Sequence, residues 1–546
     1  MDRRPPRTTS NEIDLYINTY YSLLRSSGEV RVRSFEEAHM FSRSSLHEGA
    51  RSGAPDVAAF RYSAGRLPCC SPKVRRIVLG QSEEQFESAG FPIASWNSVR
   101  ARGRRRAMRY DGASTLAVFV TSTSDIDDLI PIVTAYQIEW NKMHRAGVGL
   151  GLDDGDRDSI ITSVNMEWER ASQTILGNEC DFSVRLLSGS FNEYQRSAQR
   201  WWSEIAPHYL SKPSNKPRPV YFVSSNTHSL VNLVGGYTRL HQDEILDFAK
   251  RQNPEGLAKD IEEAQADGDS ARLDNLLYFL LREFLHEDET GKRQAQVQKF
   301  DAESGLVAVE SPGRIDVNAQ VLQLNKFMPE RMDPRVKVPG VEALKKSDAV
   351  IINIDYPLGM AAYHHLTRLG QGVGDLRGMY IMGKAATLNG RIGDVMISDT
   401  VYDEHSRNSY LLNNCFAAAD VQAYMNHGTV LDNQKAVTVR SAFLQNREYM
   451  SVFYNEGYTV MEMEAGPYLS AAYELQSPRR HPSDEIVNMF ANQPCDVGIL
   501  HYASDTPYSR RQNLLSKSLS FFGVESTYAC SIAILRRIID LELNNI

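Results

Sequence analysis

The residues best suited to chemistry lie in two acidic pieces, Met461-Glu462-Met463-Glu464-Ala465-Gly466 and Ser504-Asp505-Thr506-Pro507. Apolar, β-prone residues precede each: Tyr458-Thr459-Val460 before the first and Val497-Gly498-Ile499-Leu500 before the second. Each piece therefore reads as a strand delivering carboxylates to a sheet edge, where α/β sheets bind ligands. Glu464, at a predicted strand-to-helix junction, can accept two hydrogen bonds from a diol, with the helix N-terminus favouring its charge. Glu462, two residues earlier, is expected on the same face. Asp505 can protonate or hydrogen-bond a leaving group while an oxocarbenium-like sugar forms, so the pair suits cleavage of a glycosidic bond. Taken singly, Glu464 also reads as an ordinary first-turn helix acid and Asp505 as an N-cap.

A second candidate is Gly383-Lys384-Ala385-Ala386-Thr387-Leu388, expected as a small-residue turn after a strand. There Gly383 would let backbone N–H groups approach an anion and Lys384 would add charge. The basic run Arg100-Ala101-Arg102-Gly103-Arg104-Arg105-Arg106 is expected as a solvated loop, because no aromatic residues interleave it. Asp154, Asp156 and Asp158 alternate as calcium ligands do, but Ser159 and Asn165 stand where that loop needs Gly and Glu. Adjacent His364 and His365 point to different helix faces. No metal site and no cofactor are expected; no Walker, GxSxG or GxGxxG motif occurs.

With 546 residues, the chain is too long for one ordinary core. Its 42% hydrophobic and 23% charged residues fit a soluble globular protein, and a net charge of −8 argues against nucleic acid as a partner. Six cysteines without a CxxC pair fit reduced thiols. No apolar run reaches membrane-spanning length and no signal peptide is evident, so a cytoplasmic location without membrane contact is expected.

The elements that must position these residues follow from the hydrophobic pattern. Residues 1–11 read as a disordered tail and Glu12–Leu24 as a helical face. Ser114–Val120 reads as a strand, and Asp125–Met143 as an amphipathic helix with Ser124 as N-cap. Arg43–Ala54 and Gly147–Asp158 read as loops. The run Lys212-Pro213-Ser214-Asn215-Lys216-Pro217-Arg218-Pro219 is a linker. It divides an N-terminal α+β domain, 1–216, from residues 217–546, in which about 242–293 form a helical insertion. Strands at 220–223, 349–354, 379–382, 394–397 and 436–439 alternate with helices at 359–369, 411–425, 465–474 and 526–541. That alternation implies an α/β fold with a central mixed sheet flanked by helices.

These pieces together resemble the nucleoside phosphorylase and nucleosidase superfamily over about residues 217–546, with the closest likeness to AMP nucleosidase in Ser504-Asp505-Thr506-Pro507 and Ile392-Gly393-Asp394. Met461-Glu462-Met463-Glu464-Ala465 is similar to that family's ribose-binding motif and Ser504-Asp505 to its catalytic pair. The resemblance implies that Glu464 holds the ribose hydroxyls, Met463 packs on the sugar and Asp505 is the general acid. It implies that Phe443, or Leu444 one register on, stacks on the base. The family's Gly-Asp-Pro turn is replaced by Ser224-Ser225-Asn226-Thr227, Ser229 stands where an arginine is expected, and Ile381 replaces the arginine before the anion loop. Inorganic phosphate thereby loses charge-assisted donors. Lys384, Arg510 or Arg511 would instead hold a nucleotide's 5′-phosphate. The expected activity is hydrolytic cleavage of a purine nucleoside or nucleotide, with phosphorolysis and a non-catalytic nucleotide sensor as alternatives. A homo-oligomer is implied by the resemblance.

Overall fold

The computed structural model describes residues 11–147, 154–210, 218–311, 315–490, 493, 495–507 and 521–546. Its architecture is mixed α/β with two sheets. The first sheet comprises β1 (Val30–Arg31), β2 (Arg76–Gly80), β3 (Asn97–Val99), β4 (Met108–Tyr110), β5 (Thr115–Phe119) and β6 (Ser183–Leu186), in the order β1-β6-β2-β5-β4-β3. The second is formed by β7 (Pro219–Ser225), β8 (Leu306–Val309), β9 (Ala319–Gln323), β10 (Val350–Asp355), β11 (Asp375–Thr387), β12 (Val395–Asp403), β13 (Ser409–Leu411), β14 (Val430–Thr438), β15 (Tyr458–Glu462), β16 (Ile486–Asn488) and β17 (Asp496–Asp505). Its path is β16-β13-β12-β14-β15-β11-β7-β10-β9-β8, with β17 pairing both β11 and β12.

That double pairing closes β12, β14, β15, β11 and β17 into a ring. The ring brings the candidate pieces together. Ala386 on β11 pairs with Asp505 on one side and with Met461 on the other. Two strand spacings therefore separate the backbones of the acidic pieces, about 10 Å, which is the scale of a nucleoside.

The central strands of this sheet are buried on both faces. Val220, Ile352, Met379, Ile499 and Val460 face one core with the helices Ala361–Gly372 and Ala465–Gln476, while Tyr221, Ile351, Tyr380 and Leu500 face the other with the closing helix Phe521–Leu543. Helix Phe191–Leu210, although it precedes residue 216, packs Trp201, Trp202, Ile205 and Tyr209 into the first of these cores, and the Trp201 indole N–H donates to Val317 O at 2.9 Å. The region expected as a helical insertion comprises helices Gln242–Gln252, Ala258–Ala266 and Ser270–Glu287, with Lys292–Glu303 following. Leu276, Leu277, Leu280, Leu281 and Phe284 form its apolar stripe.

Several local expectations are corrected. The segment Gly383–Thr387 is not a turn. It continues β11, because parallel β17 pairs it residue by residue up to a bulge between Ala385 and Ala386, and register on two sides outweighs the weak strand preference of small residues. Asp154–Val164 is helical rather than a loop. Where one helix was expected at 411–425, β13 ends at Leu411 and a short helix spans Ala418–Gln422. Helix Thr123–Ala146 is capped by the Ser122 hydroxyl, which accepts from the N–H of Ser124; Ser124 is not the cap. The basic run is a loop, as expected, but only part of it is solvated: Arg100, Arg102 and Arg105 are exposed. Arg104 and Arg106 are enclosed and form ion pairs with Asp128 and Asp125 at the start of that helix.

The same helix turn ties the two sheets together. Fully buried Asp127 accepts from Tyr20 Oη at 2.5 Å and from Arg440 Nε and Nη2 at 3.0 and 2.8 Å. Removing one partner of a buried pair leaves an uncompensated charge. Asp127→Ala is expected to lower unfolding stability by about 3 kcal/mol, read as a lower denaturation midpoint. An unchanged midpoint would refute this anchoring.

Candidate active site

The site is built around the ends of β15, β11 and β17. At the end of β15 the chain turns into helix Ala465–Gln476, whose first N–H groups need partners. Glu462 supplies them: its Oε2 accepts from the N–H of Glu464 at 2.6 Å and of Ala465 at 2.7 Å. Thr438 on β14 donates its hydroxyl to Glu462 and accepts from the N–H of Gly466 at 2.8 Å. The sequence paired Glu462 with Glu464 as two groups on one ligand-facing side. Glu462 instead turns back to cap the helix.

Glu464 is left with lighter duties. It accepts from the N–H of Gly359 at 3.3 Å and of Met463 at 3.2 Å. Burial and then the neighbouring Glu462 charge push its carboxyl up to about 8, against the pull of the Gly359 N–H and Arg104. Gly359 has φ +53, and a Cβ there would sit 2.2 Å from Ser124 Oγ. That hydroxyl accepts from the N–H of Met360 at 2.9 Å. The first-sheet half of the chain thus braces the turn that holds Glu464.

Asp505, ending β17, carries a carboxyl pushed up to about 6; burial raises it, and the Ser504 hydroxyl and Arg66 oppose the rise. The Ser504 hydroxyl lies 3.3 Å from Asp505 Oδ2 and 3.2 Å from Ala385 O. The first half of the chain reaches this end too. The Arg66 guanidinium carbon lies over the Tyr62 ring, 3.4 Å from its centroid, and Arg66 Nε has no hydrogen-bond partner among the described residues.

Glu464, Met463, Glu462, Ser504, Asp505, Gly383 and Lys384 all line one cavity of about 1460 Å³, together with Arg66, Tyr62, Arg104 and Arg105. Lys384 lines it with an exposed side chain, and its ammonium has no ion pair among the described residues; the protein enclosing the cavity and then Arg105 lower its pKa. Gly383 lets Tyr356 lie close to β11, since a Cβ would meet the ring at 2.4 Å. Phe443 is elsewhere. It is 1% exposed in the first-sheet core, edge-on to Tyr62 at 5.2 Å and beside His39 at 5.9 Å, and Leu444 is buried with it. Arg510 and Arg511 lie outside the described residues. The residues that sequence reasoning missed are Arg66, Tyr62 and Arg105. Only Arg105 had a signal, the basic run in an acidic chain. No cluster of His, Cys, Asp and Glu able to hold a metal, and no helix long and apolar enough to cross a membrane, occurs among the described residues.

Residues 32–148 and 147–540 match the model of a family of unknown function, DUF6909. The chain belongs to that family. No curated protein matches it. Among solved structures, the DUF6909 chain is similar to Arabidopsis thaliana 5′-methylthioadenosine nucleosidase, with 9% identity, 60% of this chain and 97% of that one covered, and a TM-score of 0.31. It is similar to the 5′-methylthioadenosine/S-adenosylhomocysteine nucleosidase of S. pneumoniae, with 12% identity, 45% and 95% covered, and a TM-score of 0.27. It is also similar to uridine phosphorylase from Vibrio fischeri, with 7% identity, 45% and 87% covered, and a TM-score of 0.27. At these identities and TM-scores the likeness carries no argument about activity.

A carboxyl raised above its unfolded value stabilises the folded chain while protonated. For Asp505 that contribution is complete below about pH 4 and lost as pH rises through about 6. Asp505→Asn is neutral throughout. Its stability advantage over the parent is expected to be small at pH 4 and to reach about 3 kcal/mol above pH 7. Paired thermal melts across this range measure it, and a difference independent of pH would contradict the raised carboxyl.

Proposed function

We propose that this DUF6909 chain cleaves the N-glycosidic bond of a purine nucleoside or nucleotide by hydrolysis. The observation that carries the reading is the placement of Asp505 and the Met461–Glu464 segment on either side of Ala386, at one cavity. Glu464 takes the ribose diol. Two diol O–H groups favour its ionised form, so binding releases a proton from a carboxyl held up near 8. Met463 packs on the sugar. Asp505, held up near 6, gives its proton to the departing base, and water attacks the anomeric carbon as positive charge builds on the ring. Tyr62, stacked with Arg66 on the cavity wall, provides the aromatic surface beside Asp505 in place of Phe443.

Phosphorolysis is the second reading, and Lys384 is the observation that favours it. An unpaired ammonium on the cavity wall can hold an inorganic phosphate as readily as a phosphate carried by the substrate. A homo-oligomer and a cytoplasmic setting remain part of the proposal.

Chromatography of free base released from nucleosides and nucleotides, with and without phosphate, tests both readings. Hydrolysis predicts release without phosphate, reduced at least 100-fold in Asp505→Asn, with kcat/KM falling as pH rises through about 6. Release only when phosphate is present would establish the second reading. Full turnover by Asp505→Asn would remove both.

A further inference from the structure

The cavity is larger than a nucleoside needs. At about 1460 Å³ it exceeds the roughly 300–1,000 Å³ that encloses a drug-sized ligand. The surplus extends from the sheet edge towards the helical insertion, whose Tyr278, Phe279, Arg282 and Leu285 line the far wall.

A path of side chains joins the two ends. Lys384 stands on β11 beside the end of β7, since Ile381 pairs with Ser224. His228 follows β7, and its ring lies 6.5 Å from that of Tyr528. Tyr528 stacks on Tyr278 at 4.9 Å, and Arg282 lies one helical turn beyond Tyr278. Arg105 enters from the first half of the chain and pairs with Asp355 at 2.5 Å through Nη1. A guanidinium has five N–H donors, so that pair leaves others free. Arg282 contacts only the adjacent Glu283 among the described acids, and its side chain is 60% exposed. The cations share one field: His228 is exposed to solvent at the cavity, yet the protein around it, then Arg282, Arg105 and Lys384, lower its imidazole pKa.

Cations spaced along a path away from the sugar site fit a chain of negative charges. A single phosphate would occupy only one end. We propose that the outer part of this cavity binds a 5′-oligophosphate, so that the substrate is a nucleoside di- or triphosphate, held by Lys384, Arg105 and Arg282. This rests on the glycosidase reading above for the position of the sugar. Lys384 takes the phosphate nearest the ribose, and Arg282 on the insertion takes the last. A neutral His228 between them donates or accepts a single hydrogen bond without adding charge.

The test is calorimetric binding to full-length Asp505→Asn protein, which is not expected to consume the ligand. Adenosine and guanosine are compared with their 5′-mono-, di- and triphosphates, and with inorganic tripolyphosphate as competitor. Affinity is expected to rise at least tenfold from nucleoside to triphosphate, more steeply at low salt, with tripolyphosphate competing. Adding Arg282→Ala, an exposed change that leaves the core intact, is expected to weaken the triphosphate about tenfold and leave the nucleoside within twofold. Adding Lys384→Ala is expected to weaken monophosphate and triphosphate alike. Equal affinity for nucleoside and triphosphate, or no effect of Arg282→Ala, would overturn the proposal. Failure of the glycosidase reading appears separately, as absence of base release by the parent protein from every member of the panel. Oligophosphate binding without base release would support the subsite while removing the catalytic reading.

Discussion

The structure depends on one acidic helix turn held by arginines from two directions. Asp125, Asp127 and Asp128 open helix Thr123–Ala146, where the helix N-terminus favours negative charge. Arg104 and Arg106 reach them from the first half of the chain and Arg440 from the second. Carboxylates so enclosed would be costly alone, so the arginines are obligatory partners rather than surface ornaments. The consequence is geometric. Fixing this turn fixes Ser124 against Gly359 and Met360, and Gly359 in turn donates to Glu464. It also brings Arg66, Tyr62 and Arg105 to the cavity that the second sheet opens. A cavity wall made by the second half of the chain alone would lack Arg66 and Arg105, two of its cations.

A division of labour between neighbouring glutamates follows from helix chemistry. A helix start presents several N–H groups without intrahelical partners. In this chain Glu462, rather than a side chain at the cap position itself, answers that demand, with Thr438 completing the arrangement from the adjacent strand. Glu464 occupies the cap position yet is relieved of capping. Its oxygens keep lone pairs for a ligand after accepting from Gly359 and Met463. Two carboxylates two residues apart thus have unlike tasks, one structural and one open to the cavity.

The sequence was most informative where periodicity is strong and contacts are local. The strands at 220–223, 349–354 and 379–382, the helix after Glu464 and the closing helix all appear in the structure within a few residues. The convergence of the acidic pieces was legible because both sit at strand ends, and strand ends gather at a sheet edge. What could not be read depends on contacts far apart in the chain. Gly383–Thr387 looked like a turn because small residues favour one, but β17, more than a hundred residues away, extends it as strand. Phe443 was given to a base by the family resemblance, yet Tyr62 and His39 claim it for the first-sheet core. The run 100–106 looked solvated because its acidic partners lie some twenty residues downstream, on a helix whose orientation spacing does not reveal. Arg66 had no local signature at all.

The buried carboxyls explain why this region suits proton chemistry better than support. Glu462, Glu464 and Asp505 all have proton affinities raised by burial. Only Glu462 is surrounded by donors suited to a structural role. For Glu464 and Asp505 the nearby arginines are mostly engaged elsewhere, Arg104 with Asp128 and Arg66 with the face of Tyr62. A tighter ion pair at Asp505 would stabilise the chain and would also hold the carboxylate ionised, removing the proton that the proposed reaction draws from it. An acid that is to hand over a proton near neutral pH, as proposed for Asp505, has to be left under-solvated and only loosely compensated.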